Sequence, residues 1–151
     1  MRFVPLLLLG CAAAPATEIY VFVGPECPVS NFYAPEIERL GAAAGAVLVY
    51  PDATPEEARA HAEAYKLTLP RRVGRDLADR LDVRRIPTAV VVRDGTVVYR
   101  GRIDDRWSAD GRRRTEPTTK DFEEALSAVA AGRRPPRTET PVHGCPLEAR
   151  R

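Results

Sequence analysis

No run of apolar residues in this chain reaches the roughly 20 needed for a membrane-spanning helix, so it does not cross a bilayer as a helix. The charge balance is nearly even, 23 Lys and Arg against 21 Asp and Glu, with the two signs interleaved. Its arginine clusters (Arg112–Arg114, Arg133–Arg134) lack neighbouring aromatics, which argues against a nucleic-acid partner. There is no internal repeat. Only three cysteines and two histidines are present in 151 residues, so thiol or metal chemistry has few side chains to draw on. What remains is an ordinary soluble composition, 44% hydrophobic and 29% charged, in a length that suits one domain.

Each cysteine has a different setting. Cys11 follows a short positive start (Met1-Arg2), an apolar stretch and Leu8-Leu9-Gly10. That pattern resembles a bacterial lipobox, in which the cysteine is lipidated and becomes the first mature residue. Residues 1–17 therefore read as a lipoprotein-type signal peptide and tether, which would hold an exported domain at a membrane surface of the cell envelope through Cys11. In an oxidising compartment the other two cysteines, Cys27 and Cys145, can pair stably.

Cys27 stands where an apolar strand (residues 19–23) turns through Gly24-Pro25-Glu26 into a helix running to residue 40. A thiol at a helix N-terminus meets unpaired amides and the positive end of the dipole, which favour its thiolate. Pro28 suits the first helical turn. Glu26 acts the other way, since a neighbouring carboxylate raises a thiol pKa.

The pattern continues with a strand at 46–50, a helix from about 55 to 66 capped by Asp52 or Thr54, and an irregular arginine-rich stretch. A short helix at 76–81 follows. Two strands, 88–92 and 97–101, flank Asp94-Gly95 as a hairpin. A polar loop leads to a helix at 121–131, capped by Thr118 or Thr119, with Phe122, Ala125, Leu126 and Val129 at helical spacing. Strands separated by helices must run parallel and the hairpin adds antiparallel ones, so the fold class is α/β with a mixed central sheet covered on both faces.

Within residues 18–131 the chain resembles the thioredoxin-like superfamily. Val83-Arg84-Arg85-Ile86-Pro87-Thr88, followed by a strand and Asp94-Gly95, is similar to a thioredoxin run whose proline is cis and lies against the active-site cysteine. The resemblance implies a three-layer sandwich in which Pro87 is cis and faces Cys27. A narrower resemblance is to exported bacterial redoxin-domain proteins, grouped with peroxiredoxins, on residues 26–36, Gly101-Arg102-Ile103-Asp104-Asp105 and Gly144-Cys145.

The departures are as informative. Ser30 replaces the second thiol of Cys-x-x-Cys. Gly24 stands where peroxiredoxins place a hydroxyl, and the first strand lacks the buried acid of thioredoxins. Residues 132–151 form a proline- and arginine-rich tail with no helical period, which alone reads as a disordered terminus.

The leading expectation is thiol-disulfide exchange with Cys27 as nucleophile, Cys145 as resolving partner and Pro87 beside them. Disulfide or peroxide would be the substrate and an external thiol the reductant, with no cofactor and no metal. Three alternatives stay open: a purely structural Cys27–Cys145 staple, copper held by Cys27, His143 and Cys145, and a non-catalytic peptide-binding module. His61 reads as a helix-surface residue. Arg85, Arg100 and Arg102 read as solvated or paired with Asp104 and Asp105.

Overall fold

The structure is a computed structural model that describes residues 16–148. The leader reading, Cys11 included, lies outside the described residues. Strand β1 (Thr17–Phe22) is followed by helix α1 (Pro28–Ala44), strand β2 (Val47–Tyr50) and helix α2 (Pro55–Ala64). Next come β3 (Arg71–Val73), α3 (Asp76–Arg80), β4 (Arg85–Ile86), β5 (Thr88–Arg93) and β6 (Thr96–Gly101). Helix α4 (Asp121–Ala130) and a tail strand β7 (Cys145–Pro146) complete the order.

Five strands form one mixed sheet in the order β3-β2-β1-β5-β6. β1, β2 and β3 run parallel, and β5 and β6 add an antiparallel hairpin. Helices lie on both faces, as alternation along β6 shows. Tyr99 stacks on Phe122 of α4, whereas the adjacent Arg100 donates to the Leu81 carbonyl at the end of α3. α1 lies beside α4, to which Arg39 reaches through Glu123. The architecture is the expected α/β sandwich. Its core combines aliphatic residues, with Val21, Leu48, Val49, Val90 and Ile37 fully buried, and the fully buried aromatics Phe22, Tyr50, Tyr99 and Phe122.

β3 occupies part of the stretch expected to be irregular. Its three residues are edge-strand arginines and a valine, exposed or half-buried, so no apolar alternation betrays them. α2 has a full capping box, with Thr54 and Glu57 satisfying each other's amides. α4 starts at Lys120 without a side-chain cap; Thr118 and Thr119 instead donate to the buried Asp105 carboxylate. Burial alone would push Asp105 up, but those donors and Arg114 hold it down at about 2.

His61 is buried rather than on the helix surface. Tyr50 Oη lies 2.8 Å from its Nδ1 and Asn31 Oδ1 lies 2.8 Å from its Nε2. The ring thus ties α2 to β2 and to the first turn of α1.

The tail folds back onto the domain. Thr140 is buried against β6: its N–H donates to Arg100 O, and its hydroxyl oxygen accepts from Arg102 N at 3.1 Å. Gly101 makes this contact possible, because a Cβ there would lie 2.0 Å from Thr140 Oγ1.

Two outcomes follow from these contacts. Gly101→Ala should lose about 1–3 kcal/mol in chemical denaturation, since the tail or the strand must shift. Burial holds the His61 imidazole below its ordinary value, so the folded state keeps it neutral. The unfolded chain takes the proton first as pH falls past about 6.5, so stability drops with falling pH below that point. The urea midpoint should therefore fall between about pH 7 and 5, and less steeply in His61→Gln.

Candidate redox site

The register of β1 against β5 builds the site. Phe22 pairs with Thr88, so the turn leaving β1 and the segment entering β5 emerge side by side at one end of the sheet. The same end carries the carboxyl termini of parallel β2 and β3, where Asp52 and Arg75 follow. Ligands of open α/β sheets gather at such ends.

Cys27 caps α1 from an extended backbone, and its Sγ accepts from Ser30 N at 3.4 Å. Only 3% of Cys27 is exposed. Ser30, in the place of a second thiol, is buried with its hydroxyl oxygen accepting from Gly24 N at 3.4 Å. Asn31 donates from Nδ2 to Pro25 O at 3.1 Å. Donors therefore run in one direction from Tyr50 through His61 and Asn31 to the turn that precedes Cys27. Ile86 Cδ1 fills the space above Gly24, where a Cβ would approach it to 2.6 Å.

Cys27 is bonded to Cys145 in a disulfide, with Cα atoms 5.9 Å apart across 118 positions of sequence. Cys145 is half-buried and lies in β7, antiparallel to β4, opposite Ile86. The Ile86–Pro87 peptide bond is cis, and Ile86 O lies 3.5 Å from Cys27 Sγ. Cys27, Cys145 and Pro87 thus meet in one place.

Three contacts hold the tail here besides the bridge and the β4–β7 pairing. Leu147 N donates to Arg84 O at 2.9 Å, and Arg85 Nη1 donates to Gly144 O at 2.9 Å. Arg75, buried and paired with Asp52 (Nη1 to Oδ2, 2.7 Å), donates to Glu148 O. A cavity of about 250 Å³ opens beside the bridge, with Glu26, Asp52 and Glu57 in its wall.

The other arginines go elsewhere than expected. Arg102 pairs with fully buried Asp121, and Arg100 with Glu139. Asp104 and Asp105 instead take Arg106 and Arg114. The reason is local: Arg106 stacks over Phe32 and Tyr33 and reaches Asp104 from there, while Arg102 points toward the start of α4. Asp104 is a buried acid close behind Pro87, accepting from Tyr33 Oη at 2.5 Å. Burial, reinforced by that carboxylate, pushes the Tyr33 phenol well up. His143 lines the same small hollow as Pro87 and Trp107. Among the described residues, no group of three His, Cys, Asp or Glu side chains is placed to hold a metal ion.

Sequence reasoning missed Arg75, Asp52 and Thr140. The first two carry a weak signal, since each lies two residues beyond the end of a strand that faces the site.

No family model matches the chain, and no curated protein matches it. Solved structures do. An uncharacterized conserved protein from Geobacillus kaustophilus superimposes with a TM-score of 0.73 at 21% identity, covering 89% of this chain and 78% of its own. A hypothetical protein from Sinorhizobium meliloti gives 0.70 at 21% identity, covering 86% and 78%. A secreted Mycobacterium tuberculosis disulfide oxidoreductase superimposes more loosely, at 0.48 and 22% identity, covering 76% and 81%. With the sheet order and helix placement above, the fold of this chain is thioredoxin-like.

Proposed function

We propose that this protein is a thiol-disulfide oxidoreductase in which Cys27 is the nucleophile and Cys145 the resolving thiol. The observation that carries this reading is the bridge itself, which joins buried, helix-capping Cys27 to half-buried Cys145 on a docked tail.

In the reduced protein the α1 amides stabilise Cys27 as thiolate. It attacks one sulfur of a disulfide, forming a mixed disulfide and expelling the other sulfur as a thiolate that takes a proton. Cys145 thiolate then attacks Cys27 Sγ. The Cys27–Cys145 bond forms, the second substrate sulfur leaves, and two electrons have passed to the substrate. An external thiol reopens the bridge most readily at half-buried Cys145, because this expels the stabilised Cys27 thiolate. Run backwards, the same steps oxidise a dithiol.

Ser30 cannot resolve the intermediate and is engaged with Gly24 N, which supports the tail cysteine in that role. A peroxidase is disfavoured, since Gly24 offers no peroxide-positioning hydroxyl three residues before Cys27. The lipobox-like Leu8-Leu9-Gly10-Cys11 supports placing this activity on the outer side of a membrane, anchored by lipid at Cys11. No described helix is long and apolar enough to cross one.

Cys145→Ser should accumulate a mixed disulfide at Cys27 when the reduced protein meets a disulfide substrate, visible as an adduct mass. Cys27→Ser should form none and lose turnover. An adduct on Cys145 instead of Cys27 would reverse the assigned roles.

A further inference from the structure

The tail around Cys145 is an extended strand joined to Cys27 by a disulfide and paired to β4. That is also the pose of a peptide whose cysteine has been captured by Cys27. We propose that β7 occupies the place of the substrate peptide, and that the protein is therefore a reductase of disulfides carried on extended Gly-Cys segments. This rests on the thiol-exchange reading above.

Backbone pairing defines the place. Ile86 stands opposite Cys145 and Arg85 opposite Pro146, and Arg84 O takes the Leu147 amide. Arg85 reaches the carbonyl just before the cysteine. All of these contacts engage the tail's main chain, so another extended strand can use them. A side-chain restriction falls on the residue before the cysteine. At Gly144 a Cβ would lie 2.0 Å from Ile86 O and 2.8 Å from Ile86 C, which are backbone atoms that cannot step aside. A peptide in this register must present glycine there.

The direction of electron flow follows from the occupancy. With the bridge closed, β4 is filled by β7 and has no room for a dithiol peptide. With the bridge open, the segment beyond the Thr140 clamp is free to leave β4 and expose it to a peptide disulfide. When Cys145 attacks Cys27 Sγ, β7 returns to β4 and displaces the product strand in the same motion. The contacts made by Arg84, Arg85 and Arg75 all favour the closed form. They draw electrons out of the protein toward the substrate.

The test uses the full-length protein and two synthetic peptides, one centred on Gly-Cys-Pro-Leu and one on Val-Cys-Pro-Leu, each as its glutathione mixed disulfide. Reduced protein should reduce the Gly-Cys peptide at least about tenfold faster. Gly144→Val should displace β7 and shift the glutathione equilibrium toward reduced protein by about tenfold, or 30 mV for a two-electron couple. Leu147→Pro removes the amide donated to Arg84 O together with the half-buried leucine side chain, and should shift it the same way. Equal rates for both peptides, with both variants at the wild-type equilibrium, would overturn the peptide-mimic proposal and leave thiol exchange standing. Failure of either peptide or glutathione to exchange with Cys27 at all would overturn the exchange reading itself.

Discussion

The pairing of Phe22 with Thr88 places everything else. An antiparallel register aligns the end of one strand with the start of its neighbour. Here that juxtaposes the turn into Cys27 with the Arg84–Pro87 segment. A slip of one residue would turn the side chains of β1 to the opposite face of the sheet. Burial of Val21, Phe22, Val90 and Ala89 pins the register, so the site's geometry is held by the core and not by the loops that form it.

On that frame the tail is secured by unlike forces. Thr140 is a fixed clamp, buried between β6 and the Arg102 backbone. Beyond it, individual hydrogen bonds contribute on the order of 0.5–1.5 kcal/mol each. The disulfide closes a loop of more than 100 residues, and by loop-closure entropy contributes about 4–5 kcal/mol. That figure acts on the unfolded chain as a whole; at the docked tail the bridge is the one covalent tie beyond the clamp, and opening it leaves only non-covalent contacts to hold those residues. A bridge that strong also serves well as a permanent staple. Stability alone does not separate the two roles; the potential at which the bridge opens does. Cys27 is buried at the start of α1, whereas Cys145 is half-buried on β7. In the proposed role that asymmetry would direct an incoming thiol to Cys145 and let Cys27 leave.

The layout of strands and helices was largely legible in the sequence, because apolar runs and turn signals are strong where strands are central. Cys27 was legible for the same reason: strand, tight turn and proline announce a helix start. β3 was not, because an edge strand of arginines has no buried face to pattern. His61 was misread, since helical periodicity places it on a face without revealing that Tyr50 and Asn31 converge there. Arg102 was misassigned because arginine reach is long and many carboxylates lie within it. Cys145 was a candidate through its chemistry and the Gly144-Cys145 resemblance, not through its local structure. Its strand comes from pairing with a distant two-residue segment, and a two-residue strand leaves no periodic trace.

The central claim is that the Cys27–Cys145 bridge is a working disulfide. Its most direct test counts thiols at both positions by mass spectrometry in the full-length protein across graded glutathione and dithiothreitol redox buffers. The account predicts half-opening between about −180 and −270 mV, the range of catalytic disulfides. A bridge still closed below about −300 mV would make it a staple and contradict the account.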